Sequence, residues 1–132
     1  EVQLDPSADV TGVVGIAGPY DFLPLEDEQL KIIFGPEASR PNTQPINYVD
    51  GKEPPLLLLR PAGDTVVDPG NSTRLAKRVN DKGGRATVIT YDRVGHLSII
   101  GTLSPLLSFL APAKEDMITF IHSTSGTKAV SQ

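Results

Sequence analysis

One aspartate and one histidine form a candidate pair for acid–base chemistry. Asp64 follows an apolar run and stands in Gly63-Asp64-Thr65-Val66-Val67, and His96 stands 32 residues later in Val94-Gly95-His96-Leu97. A carboxylate beside an imidazole fixes the tautomer of the ring and stabilises the imidazolium that forms when the ring takes a proton. Taken singly, an Asp at such a place is usually a turn former and a loop His is usually structural. The chemical interpretation therefore depends on the two residues meeting in space.

No nucleophile accompanies this pair in the sequence. The strand-to-helix turn that presents a catalytic serine needs G-x-S-x-G, and no serine here has that setting; Ser98 is followed by Ile99, Ile100 and Gly101. The chain has no Cys, which excludes disulfides, thiolate metal sites and a thiol nucleophile. Two His without well-placed carboxylates build no metal site, and neither a G-x-G-x-x-G motif nor a P-loop occurs. We therefore expect no metal and no cofactor.

Alternating strands and helices are predicted to position the pair. Three short apolar, β-branched or Leu-rich runs between Gly and Pro residues read as buried strands, and three amphipathic segments with helix start and stop signals read as helices. The predicted strands are 11–17, 56–59 and 86–91, and the predicted helices are 26–34, 68–82 and 114–122. The helix faces expected to point inward carry Leu30, Ile33 and Phe34; Leu75, Ala76 and Val79; and Met117, Ile118 and Ile121. Segment 98–110 is expected to be irregular or to form short helices, and Pro45 to Val49 one helical turn.

Strand–helix alternation predicts an α/β fold of three parallel strands with flanking helices. In such sheets, ligands bind beyond the carboxyl ends of the strands. Asp64 follows the second strand and His96 the third, so their side chains are expected to lie side by side. Tyr20 and Phe22 follow the first strand and are candidates for lining a substrate pocket, although backbone hydrogen bonding and packing are the commoner roles for such residues. Asp68 is interpreted as a helix cap and His122 as a cation near a helix end.

The order of these motifs resembles the C-terminal half of the α/β-hydrolases. The resemblance runs through Gly15-Ile16-Ala17-Gly18-Pro19-Tyr20-Asp21-Phe22, Pro54 to Leu59, Gly63 to Val67 and Tyr91 to His96. The most similar branch is the esterase and lipase group that includes kynurenine-formamidase-like carboxylesterases. The resemblance implies that Asp64 is the acid and His96 the histidine of a Ser-Asp-His triad. It also implies that the nucleophile elbow and the oxyanion hole belong to an N-terminal half, which this sequence does not contain.

The implied reaction is hydrolysis of a small ester or amide through an acyl-enzyme. Without the serine, the chain alone is expected to be inactive, because triad members act as a unit. A non-catalytic binding module with hydrolase-like topology is the alternative, and a small flavodoxin-like protein is weaker because no phosphate loop is present. Strand 11–17 is expected to be an open edge that pairs with a second copy or with an N-terminal partner segment.

Composition narrows the remaining possibilities. The chain has 132 residues, 39% of them hydrophobic and 21% charged, with a net charge of −4. That acidity argues against a nucleic-acid partner, and no apolar stretch is long enough to span a membrane. We expect residues 1–10 to be a lead-in, 11–122 the hydrolase-like part and 123–132 a flexible tail. The N-terminus shows no targeting signal, so a cytoplasmic location is expected.

Overall fold

The fold is a single parallel sheet covered by helices on both faces. The computed structural model describes residues 5–126. In chain order the strands are β1 (Val13–Ile16), β2 (Leu56–Pro61) and β3 (Ala86–Tyr91). The α-helices are α1 (Pro6–Asp9), α2 (Glu28–Ile33), α3 (Gly70–Asp81), α4 (His96–Gly101) and α5 (Ala113–Ser125). Short 3-10 helices span Glu37–Thr43, Pro45–Tyr48 and Ser108–Leu110.

The strands lie in their order along the chain, and both pairings are parallel. Val13 pairs with Leu56, and Leu56 pairs in turn with Ala86. The central position of β2 explains its sequence, because a strand covered on both faces carries a continuous apolar run. The predicted α/β class, with three parallel strands and flanking helices, is confirmed.

Alternate leucines of β2 serve two separate cores. Leu57 and Leu59 pack with Tyr91 and Ile99 on the face that α4 and α5 cover. Leu56 and Leu58 pack on the other face, where α3 contributes three buried residues, Leu75, Ala76 and Val79. This division follows from the two-residue period of a strand. The predicted inward face of the α3 segment is confirmed.

Helix α2 differs from its predicted packing. It begins at Glu28 rather than Glu26, because the carboxylate of Asp27 accepts a hydrogen bond from the backbone N–H of Leu30 at 2.9 Å and caps the helix. No residue of α2 is buried, and Ile33 is 73% exposed, so the inward orientation predicted for Ile33 is wrong. The reason is that this six-residue helix rims an open cavity instead of covering the sheet.

Helix α5 also places its apolar residues differently from the prediction. Met117 packs on the core as expected, but Ile118 and Ile121 are about half exposed. Ala113 and Phe120 contact the core in their place. The helix continues to Ser125, so its last turn lies inside the segment predicted to be a flexible tail. The rest of that tail, from residue 127 on, and the first four residues of the lead-in lie outside the described residues.

Between residues 5 and 126, none of the helices combines the length and the apolar character that crossing a bilayer requires.

Candidate active site

Asp64 is a buried carboxylate held by its own turn. The turn follows the end of β2, and the Asp64 Oδ1 atom accepts hydrogen bonds from the backbone N–H groups of Val66 at 2.9 Å and Val67 at 3.0 Å. Its side chain is only 1% exposed. Burial alone would raise the pKa of Asp64, but the hydrogen bonds from Val67, His96 and Val66 outweigh it and hold the pKa below its usual value. The carboxylate is therefore kept ionised.

His96 faces that carboxylate from the next loop. Its Nδ1 lies 2.9 Å from Oδ2 of Asp64. The residue opens helix α4 directly after Gly95, and its side chain is 21% exposed. Because Nδ1 is engaged with the carboxylate, the ring presents Nε2 as its other nitrogen. The two residues predicted to meet at adjacent strand ends are thus brought into direct contact.

This arrangement has the geometry that proton transfer by an imidazole requires. A carboxylate that accepts the Nδ1 proton holds the imidazole in the tautomer whose Nε2 carries the lone pair. That nitrogen can take a proton from a hydroxyl or water within hydrogen-bond reach. The ionised Asp64 would then stabilise the resulting imidazolium. The pair alone can move a proton, but it cannot form a covalent intermediate.

Ser98 is the serine nearest to His96 along the chain, and its hydroxyl has a structural task. Its Oγ accepts a hydrogen bond from the N–H of Gly95 at 2.8 Å and also contacts the carbonyl oxygen of Gly95 at 3.3 Å. These bonds close the first turn of α4 and thereby set the position of His96. The start of a helix at His96 was not predicted, because Gly101 and Pro105 mask the helical pattern of the segment.

A cavity of about 650 Å³ lies between the segment after β1, helix α2 and the start of α3. Neither Asp64 nor His96, the two residues that we call the dyad, lines it. Phe22 lines it, whereas Tyr20 does not. The Tyr20 ring packs instead against the core that contains Leu58, and burial raises the pKa of its hydroxyl. Val66 and Val67, whose N–H groups bind Asp64, also line the cavity, so the loop that holds Asp64 also contributes to the cavity wall.

Two polar side chains of α3 hold the segment after β1 in place. The Asn71 Oδ1 atom accepts hydrogen bonds from the backbone N–H groups of Tyr20 at 2.8 Å and Asp21 at 2.6 Å. Arg74 forms ion pairs with Asp21 and with Asp68. The sequence did not predict these roles of Asn71 and Arg74, because no pattern in a helix indicates contacts with residues some fifty positions away.

Asp68 accepts a hydrogen bond from the backbone N–H of Gly70 at 2.9 Å, at the start of α3, which agrees with its interpretation as a cap. That bond and the neighbouring Arg74 lower the pKa of Asp68. His122 lies in the last turn of α5, as expected, and is exposed. In the part of the chain that the structure describes, no group of three or more His, Cys, Asp or Glu residues is placed to hold a metal ion.

Comparison with known proteins gives matches by structure alone. Neither a protein-family model nor a curated protein matches the chain. A truncated form of a carbohydrate esterase from gut microbiota is 24% identical with a TM-score of 0.72, and the match covers 89% of this chain and 43% of that chain. Thermogutta terrifontis esterase 2, phosphoramylated by tabun, is 17% identical with a TM-score of 0.57, over 85% of this chain and 42% of that chain.

The apo form of the same Thermogutta terrifontis esterase gives a TM-score of 0.54 at 16% identity, over 83% of this chain and 41% of that chain. The chain thus spans less than half the length of each of these proteins. The three structures belong to two esterases of the α/β-hydrolase type, and this agrees with the resemblance to a C-terminal half. The fold of this chain is therefore part of an α/β-hydrolase fold.

Proposed function

We propose that this chain supplies the acid and the histidine of a serine ester or amide hydrolase. The observation that carries the proposal is the 2.9 Å contact between the Nδ1 atom of His96 and the ionised, buried carboxylate of Asp64. The substrate class is a small ester or amide. The proposal agrees with the structural similarity to esterases, since the fold places two loops at adjacent strand ends, where such a pair is needed.

The chemistry assigned to the pair is general acid–base catalysis. Nε2 of His96 takes the proton of a serine hydroxyl as the serine oxygen bonds to the substrate carbonyl carbon. The resulting imidazolium then gives that proton to the leaving alcohol or amine as the acyl–oxygen or acyl–nitrogen bond breaks. Water attacks the acyl-enzyme in the second half of the cycle, with His96 again acting as base. Asp64 stays ionised throughout.

The serine is proposed to come from a segment other than the described residues, and the edge of β1 is its proposed docking place. The N–H groups of Val13 and Ala17 bond to carbonyl oxygens of the β2 side, at 2.9 and 2.8 Å. Because successive N–H groups of a strand point to opposite sides, those of Val14 and Ile16 face the open edge. A further parallel strand fits there, and unpaired edges of this kind recruit other chains.

The test uses the full protein that contains this chain, after the coding sequence upstream of Glu1 has been read for an in-frame G-x-S-x-G. His96→Asn should lower kcat/KM for p-nitrophenyl esters by at least about 10⁴-fold. His122→Asn is the matched control, since it removes the second imidazole of the chain, which is exposed at the end of α5, and should change kcat/KM by less than about twofold. Retained activity in His96→Asn would refute the assignment. The 132-residue chain alone should not react with a fluorophosphonate probe. Covalent labelling would contradict the proposal that the nucleophilic serine comes from another segment.

A non-catalytic binding module is the second candidate, favoured by the lack of any G-x-S-x-G in the 132 residues. The same upstream sequence separates the two candidates. A stop codon followed by a start codon would favour the module, and an in-frame serine motif would favour the hydrolase.

A further inference from the structure

The cavity described above combines an apolar wall with an acidic rim, which consists of Asp21, Glu26, Asp27 and Asp68. Its apolar lining includes Phe22, Leu30, Phe34, Val66 and Val67. At about 650 Å³, it lies within the range of about 300–1,000 Å³ that is usual for small-molecule sites.

Two aromatic rings are placed to receive a flat apolar group. The ring centroids of Phe22 and Phe34 lie 4.9 Å apart with their planes tilted by 54°. Tilted aromatic pairs present both a ring face and a ring edge, which are the two surfaces that a third ring contacts favourably. Leu30, from the first turn of α2, is 41% exposed and faces the same cavity, so its apolar surface is available to a ligand.

The charged groups of the lining are mainly negative. Four carboxylates line the cavity, from Asp21, Glu26, Asp27 and Asp68, against the single guanidinium of Arg74. Arg74 is already bound to Asp21 and Asp68, so it is engaged in ion pairs and not free to receive an anion. Within the described residues, Glu26 and Asp27 have no ion-pair partner. A cavity lined mainly by one sign of charge favours neutral or oppositely charged ligands.

We propose that this cavity is the recognition pocket for the substrate, and that it takes an aromatic-sized apolar group on a neutral or cationic molecule while rejecting anions. Identifying the ligand as a substrate rests on the proposed function. The pocket reaches Asp64 through Val66 and Val67, which line the cavity and whose N–H groups bind the Asp64 carboxylate. A group seated in the pocket is thereby held next to the catalytic loop, where it can position the rest of an ester.

The test is a binding experiment on the 132-residue chain with three related probes. The probes are 2-phenylethanol, 2-phenylethylammonium and phenylacetate, which share a benzyl group and differ in charge. Binding is followed by the NMR shifts of the methyl groups of Leu30, Val66 and Val67. The alcohol and the ammonium probe should bind at least about fivefold tighter than phenylacetate at low ionic strength. This ratio should shrink in about 1 M salt, where the Debye length is about 3 Å.

Two variants with matched controls separate the wall from the rim. Leu30→Gln should weaken 2-phenylethanol binding about fivefold, since it removes half-exposed apolar contact surface. Ile118→Gln, at 43% exposure on α5, should leave that binding unchanged. Glu26→Gln should reduce the discrimination against phenylacetate about twofold, and Glu115→Gln, in the first turn of α5, should not. If Leu30→Gln disturbs the fold, Phe22→Leu tests the same wall with little change in volume.

Equal or tighter binding of phenylacetate would overturn the proposal, as would an absence of shifts in the pocket methyls with every probe. The assay needs no serine, because it follows binding and not hydrolysis. Probe binding in a protein that hydrolyses no ester would refute the proposed function and leave the pocket assignment in place. Ester hydrolysis without probe binding would do the reverse.

Discussion

Replacing Asp64 by Asn removes the charge at the centre of the site and keeps its shape. The carboxylate accepts three hydrogen bonds, two from the backbone N–H groups of Val66 and Val67 and one from His96, while its side chain is 1% exposed. In Asp64→Asn the amide oxygen still accepts both backbone bonds, and the amide NH₂ replaces Oδ2 opposite the imidazole. The imidazole must then take the other tautomer, with its proton on Nε2, because Nδ1 has to accept a hydrogen bond.

The magnitude follows from the number of charge-assisted bonds that become neutral. A hydrogen bond to a charged group contributes about 1.5–3 kcal/mol and a neutral one about 0.5–1.5 kcal/mol. The two backbone bonds alone, each losing about 1 kcal/mol, predict a destabilisation of at least about 2 kcal/mol near neutral pH. With a urea m-value of about 1–3 kcal/mol/M, the unfolding midpoint should fall by about 1 M.

The effect has a defined pH dependence. Because the folded-state pKa of Asp64 is lowered, its charge stabilises the fold above the unfolded-state pKa of about 3.9, and that stabilisation is lost as the pH falls through the lower, folded-state pKa. Urea unfolding of wild type and Asp64→Asn should therefore differ near neutral pH and converge in acid, as the pH falls below the folded-state pKa of Asp64. Asp81→Asn, which removes an exposed carboxylate paired with Lys77, is the control and should cost less than about 0.5 kcal/mol. Equal stability near neutral pH, or a gap that persists in acid, would refute the reasoning.

Three further changes test other parts of the structure. Val14→Pro should block association with a serine-bearing segment in size-exclusion experiments and leave the fold intact. Val13→Pro should instead lower the free energy of unfolding by about 1–3 kcal/mol, because the N–H of Val13 bonds to the β2 side. Association that survives Val14→Pro would exclude the β1 edge as the docking place. Asn71→Ala should cost about 2–4 kcal/mol in urea unfolding, since two backbone N–H groups lose their acceptor, and a cost under about 0.5 kcal/mol would contradict the anchoring role. Burial, followed by the hydrogen bond to Asp116, raises the pKa of Tyr91. This tyrosine should therefore stabilise the fold below its unfolded-state pKa of about 10, and that stabilisation should be lost as the pH rises further. In thermal unfolding, Tyr91→Phe should lose less stability at alkaline pH than wild type.

The sheet and the meeting of the dyad were predictable because each depends on patterns short enough to read locally. Four leucines between prolines allow no helix, and a buried strand in the middle of a parallel sheet needs that continuous apolar run. Once three parallel strands were inferred, the topology alone placed Asp64 and His96 at the same edge. Their contact at 2.9 Å is the geometric consequence of adjacent strand ends.

The helix faces and the pocket were not predictable to the same degree. A period of 3.6 residues identifies an amphipathic face, but it does not reveal whether that face meets the sheet or a cavity, and Ile33 and Ile118 face neither core. Tyr20 and Phe22 are two residues apart in a loop, where no regular period assigns a direction. The position of that segment depends on tertiary contacts, among them the hydrogen bonds that Asn71 accepts from its backbone and the bonds of Arg74 to Asp21.

The open edge of β1 has a geometric consequence for any active site assembled there. A parallel partner strand can pair with Val13–Ile16 in several registers. Its side chains stay on the same face of the sheet when the partner shifts by two residues. Such a slide moves the partner by about 6.6 Å along the strand, at about 3.3 Å per residue. A serine at the end of that partner would then lie beyond hydrogen-bond reach of Nε2 of His96, although the sheet itself would be fully paired. The register in which the partner strand pairs with the hydrogen-bonding groups of β1 would thus decide whether a well-folded assembly is active or inactive.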